Sequence, residues 1–152
     1  MMLVTIMTDA SHDPESKAGR YGYWIASQRG KRAGGGALKG EVIGAFQAEM
    51  MAVVNALHVG FRCGLICEGD VVLVQTDCTA AIHALRRGWT RKKSDQTRDI
   101  IRAFNALTNK VGVRFKHVKG HSKVQDARSK ANRHCDARAY AGMKRAKGEA
   151  TT

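Results

Sequence analysis

The chain has 152 residues, enough for a single domain with a real core. Its 26 Lys and Arg against 13 Asp and Glu leave a formal charge of +13, an excess that points to a polyanionic partner. No apolar run approaches the roughly 18 residues of a membrane helix, and Met1–Thr8 lacks the basic start of a signal peptide. A reducing, cytoplasmic setting follows as the expectation. So Cys63, Cys67, Cys78 and Cys135 read as free thiols, because no paired C-x-x-C unit with a His partner marks a zinc site.

In chain order, the first predicted strand is Leu3–Thr8, a β-branched and apolar run that ends at Asp9. Gly22–Ser27 and the glycine-bearing Arg32–Leu38 follow, giving an antiparallel meander. Ala45–Val59 is predicted helical, because Phe46, Met50, Val53, Val54 and Leu57 recur on one face. Gly60–Asp70 connects it to Val71–Thr76, an apolar strand that ends at Asp77. A short helix, Thr79–Arg87, is followed by a basic break carrying Trp89, Arg91, Lys92 and Lys93. A helix over Asp95–Asn109 turns Ile100, Ile101, Phe104 and Leu107 inward. Val113–Val118 is the fifth strand, Lys119–Ser129 a basic loop, and Lys130–Lys144 a last helix before a basic tail. The order β-β-β-α-β-α-α-β-α implies an α/β fold: one domain over 1–152 with a mixed five-stranded sheet and helices on both faces.

Two carboxylates occupy matching places, Asp9 after one strand and Asp77 after another. If those strands are parallel neighbours, both side chains emerge at one sheet edge, where ligand sites gather. Glu49 and Asp136 lie on helices. Four acids converging would repel one another unless cations neutralised them. Hard oxygen ligands suit Mg2+ or Mn2+, and two such ions about 3.5–4 Å apart suit phosphodiester cleavage.

In order along the chain stand Thr8-Asp9-Ala10-Ser11, Ala48-Glu49, Thr76-Asp77-Cys78, Val118-Lys119-Gly120-His121 and the helical Asn132-Arg133-His134-Cys135-Asp136. Together these motifs resemble the type 1 ribonuclease H family. The resemblance spans Leu3 to about Met143. It implies a ribonuclease H-like fold and sequence-independent endonucleolytic hydrolysis of the RNA strand of RNA/DNA hybrids. Asp9 would bridge two divalent ions, Glu49 and Asp77 would complete one site, and Asp136 would complete the other. His121 would assist proton transfer or product release. His117 reads as structural. Asp126 is set aside as a ligand, since it lies in the loop close after His121 whereas Asp136 has the helical context. Ser11, Gln47, Lys119 and Asn132 are further expected substrate contacts.

The chain also departs from that pattern. Asn or Gln often stands three and four residues before the helical Glu, whereas here Phe46 and Ala45 do, with Gln47 displaced by one. Arg86–Lys93 resembles a shortened basic handle, in which Trp89 could pack on a sugar or base while Arg91, Lys92 and Lys93 hold phosphates. Two rival readings follow. One is a nuclease of the same fold acting on double-stranded RNA or branched DNA; the other is a non-catalytic nucleic-acid-binding module. A monomer is expected, since no extended apolar stripe is evident.

Overall fold

The computed structural model describes residues 1–88 and 94–119. Among the described residues there are eight elements: β1 (Leu3–His12), β2 (Gly19–Ser27), β3 (Gly30–Ala37), α1 (Ala45–Arg62), β4 (Val71–Thr76), α2 (Thr79–Arg87), α3 (Asp95–Thr108) and β5 (Gly112–His117). The helix expected over 130–144 and the basic tail lie outside the described residues.

The strands form one mixed sheet in the order β3-β2-β1-β4-β5. The meander β1-β2-β3 is antiparallel, while β4 runs parallel to both β1 and β5. Strand β4 lies inside the sheet between β1 and β5, with Val72 and Val74 buried against the helices and Val71 and Leu73 half-buried on the other face. Alternate residues of the central strands (Val4, Ile6, Val72, Val74) join Tyr23 and Ile25 against Met50, Val53 and Leu57 of α1 and Ile100, Ile101 and Phe104 of α3. These are the helical apolar stripes expected from spacing. The described helices contact one another, so they share one face of the sheet.

Glycine in β3 has a packing reason. A Cβ on Gly34 would meet the Tyr23 hydroxyl at 2.5 Å, so the missing side chain lets the tyrosine lie across its neighbour strand. Tyr21 and Tyr23 then stack with ring centroids 6.0 Å apart.

Strand β2 opens at Gly19 rather than Gly22 and β3 at Gly30 rather than Arg32, and the end of β1 also differs from expectation. Asp9 does not follow β1 but lies inside it, paired with Gly22. The parallel pairing of β1 with β4 stops at Met7 opposite Gln75, whereas its antiparallel pairing with β2 continues to His12 opposite Gly19. The polar residues beyond Asp9 are thus held extended by β2 alone. Asp9 stands where the two central strands part company, and Asp77 stands one residue past the end of β4.

Candidate metal centre

Three acidic side chains converge at that parting. Asp9 comes from β1, Asp77 from the exit of β4, and Glu49 from just over one turn into α1. One carboxylate oxygen from each lies within 4.8 Å of the others. Asp9 is 8% exposed and Glu49 9% exposed. The spacing that turns Met50, Val53 and Leu57 into the core also fixes the rotation of α1, and with it Glu49 towards the strand ends.

The cluster is electrostatically costly as it stands. Burial pushes the Glu49 carboxyl up to about 8, and the nearby Asp77 charge adds to the rise. The backbone N–H of Ala10 works the other way but does not overcome it. Oxygen Oε2 of Glu49 is buried and has no hydrogen-bond partner among the described residues. A buried carboxylate oxygen without a donor is expensive unless a cation meets it. Three converging carboxylates are a hard-oxygen set, suited to Mg2+ or Mn2+ and not to a soft, thiolate-binding metal. The side chains present therefore fit a divalent cation. The neighbouring Cys78 thiol is pushed up by its burial and further by Glu49 and Asp77, so it stays protonated near neutral pH and is no ligand as it stands.

The backbone around Asp77 is anchored at two points. The Cys78 N–H donates to Thr76 Oγ1 at 3.2 Å, and His117 Nε2 lies 3.1 Å from the Asp77 carbonyl oxygen. The sequence offered no local sign of the second contact, since His117 is 40 residues away on β5. The signal available was positional: β5 runs parallel to β4, with His117 opposite Thr76.

The remaining expected site residues divide into three groups. Ser11 lies two residues beyond Asp9 on β1, hence on the same strand face, and is half-buried. Lys119 is exposed just past β5. Gln47 is already engaged, its Nε2 donating to Thr97 Oγ1 at 3.3 Å. Its Oε1 folds over the N-terminus of α1, where a Cβ on Gly44 would come within 2.7 Å of it. This bond ties α1 to the start of α3, where Ser94 caps the helix by accepting from the Thr97 N–H. Trp89, Arg91, Lys92, Lys93, His121, Asn132 and Asp136 lie outside the described residues.

Comparison with known proteins agrees with this fold. The family model described as RNase H matches residues 2–144. Among solved structures, the chain is similar to the N-terminal RNase H domain of Rv2228c from Mycobacterium tuberculosis, determined as a fusion with maltose binding protein. That match has a TM-score of 0.71 and 15% identity and covers 96% of this chain and 99% of that one. It is also similar to RNase H1 from the halophilic archaeon Halobacterium salinarum NRC-1, with a TM-score of 0.71 and 18% identity over 93% of this chain and 98% of that one. At these identities the structural likeness speaks to the fold. No curated protein sequence matches the chain.

Proposed function

Because the chain belongs to the ribonuclease H family, whose members are nucleases, we propose that it hydrolyses the RNA strand of RNA/DNA hybrids with the help of two divalent cations, Mg2+ or Mn2+. One observation carries the reading. Carboxylates from β1, α1 and the exit of β4 converge within 4.8 Å, with an unpartnered oxygen among them. Asp9 would be shared between both cations, Glu49 and Asp77 would complete one site, and Asp136 would complete the other. Bound cations would supply neutralisation of the carboxylates and charge stabilisation on the cleaved phosphodiester. The protein's own part is to hold these acids at a rigid sheet edge, so that little reorganisation is needed on reaction. His121 would move a proton or help release product. The chain's net charge of +13 supplies attraction for the nucleic-acid backbone, independent of sequence.

A second reading has its own support. Ala45 and Phe46 open α1 without an amide, and the Gln47 amide is turned to Thr97. Recognition of the RNA 2′-hydroxyl must then come from elsewhere, which leaves room for a preference for another duplex. Labelled RNA/DNA, RNA/RNA and DNA/DNA duplexes, incubated with and without EDTA, decide the matter. The proposal expects EDTA-sensitive cutting of the RNA strand of the hybrid. Cutting confined to RNA/RNA or DNA/DNA would favour the second reading, and binding without any cutting would reduce the protein to a binding module.

A further inference from the structure

The peptide joining Asp77 to Cys78 lies beyond the regular ladder. Strand β4 ends at Thr76, and the last backbone rung from β5 is the Val118 N–H donating to the Thr76 carbonyl at 3.0 Å. From there α2 begins at Thr79 with no side-chain cap at Cys78. A peptide at such a junction has no secondary structure to hold it, and its plane would swing. Here both of its polar ends are occupied by side chains. The N–H of Cys78 bonds to Thr76 Oγ1, and the carbonyl of Asp77 faces Nε2 of His117. A carbonyl only accepts, so the ring nitrogen must carry the proton. The exposed ring forms part of the wall of a small open cleft of about 170 Å³ between α2 and β5, together with Thr79, Ile82, His83, Arg86 and Phe115.

From this geometry we infer that His117 is a positioning residue for the cation site. By holding the Asp77 carbonyl, it sets the peptide plane next to the Asp77 Cα and so the direction in which that carboxylate meets Asp9 and Glu49. The inference rests on the proposed metal-binding role of Asp77. The ring is exposed, so the bond adds little to global stability, and its value is orientational. Groups that orient a ligand carboxylate are commonly worth about ten- to a hundredfold in metal affinity.

The test is Mn2+ binding by calorimetry on the full chain without nucleic acid, using wild type, His117→Leu, His117→Gln and Asp77→Asn. Glutamine places an N–H donor where Nε2 stands, and leucine does not. His117→Leu should bind Mn2+ roughly tenfold more weakly with an unchanged Tm, and His117→Gln should recover most of that loss. In cleavage assays His117→Leu should raise the Mn2+ concentration needed while leaving KM for the hybrid unchanged. Wild-type Mn2+ affinity in His117→Leu, or a His117→Gln as weak as His117→Leu, would overturn the assignment. Asp77→Asn separates the two levels of argument. If it binds Mn2+ as wild type does, the metal reading of Asp77 fails and this inference falls with it. If it loses binding while His117→Leu does not, only the role of His117 is lost.

Discussion

Strand β4 is bracketed by two aspartates that the fold treats in opposite ways. At its entry, Asp70 is 1% exposed yet fully served. It forms a two-pronged pair with the Arg29 guanidinium and accepts from the Met2 N–H at 3.0 Å and the Cys67 N–H at 2.8 Å. The Arg29 hydrogen bonds, helped by those backbone donors, hold its carboxyl well below the usual range. At its exit, Asp77 joins Asp9 and Glu49, and the Glu49 carboxyl is driven upward instead. Burial is common to Asp70 and Glu49, so burial alone does not set how a carboxyl titrates. The supply of donors does. One end of the strand is stitched shut, and the other stores repulsion that a cation could relieve.

That contrast can be broken experimentally in several ways, the largest effect coming first. Asp9→Asn should reduce hybrid cleavage by about three orders of magnitude at saturating Mg2+, while the Tm without metal stays level or rises because one repelling charge is gone. Retained activity in gel-based cleavage assays would remove Asp9 from the machinery.

The Glu49 carboxyl gives a pH signature. Its folded value lies above its unfolded one, so between about pH 4.5 and 8 the folded state holds a proton that the unfolded state has released. Stability of the metal-free protein should therefore fall as pH rises through that window, by an amount on the order of a few kcal/mol, and level off above it. Denaturant titrations in EDTA at pH 5 and pH 9 measure this. Glu49→Gln should flatten the difference, and Mg2+ should restore stability at the alkaline end of the wild-type curve.

Asp70 should behave in the reverse sense. Its depressed carboxyl contributes stability at neutral pH that is lost as pH falls below the ordinary Asp value of 3.8. Asp70→Asn should lower Tm by roughly 5 °C or more, since it leaves buried donors and Arg29 poorly matched. Cleavage at 25 °C should be unaffected, because the change lies at the far end of β4. A kinetic defect there would mean that the two ends are coupled.

The smallest effect concerns binding alone. Replacing Arg91, Lys92 and Lys93 together with Ala should flatten the log–log salt dependence of hybrid binding by roughly two to three units. An unchanged slope would show that the phosphates are met elsewhere.

Much of this architecture is legible in the sequence, for identifiable reasons. The bounds of β4 and α2 agree with expectation because an apolar run, an Asp and a short amphipathic stretch are local signals. Glu49 is recognisable from the Ala48-Glu49 motif taken together with the strand-end aspartates, not from helical periodicity. The length of β1 is not, because its polar end is held extended only by a partner strand that begins at Gly19. The engagement of Gln47 depends on Thr97, 50 residues away, and the Arg29–Asp70 clasp joins the link between β2 and β3 to the entry of β4. Side-chain bonds across such separations have no periodicity to betray them.

The forking of β1 from β4 at the Met7–Gln75 rung makes strand register act as a ruler for the acidic cluster. Because side chains alternate along β1, deleting a single residue between Leu3 and Thr8 would turn Asp9 to the opposite side of the sheet while leaving its chemistry intact. Long flanking loops can vary in length at little cost to such a centre, but the six residues ahead of Asp9 cannot.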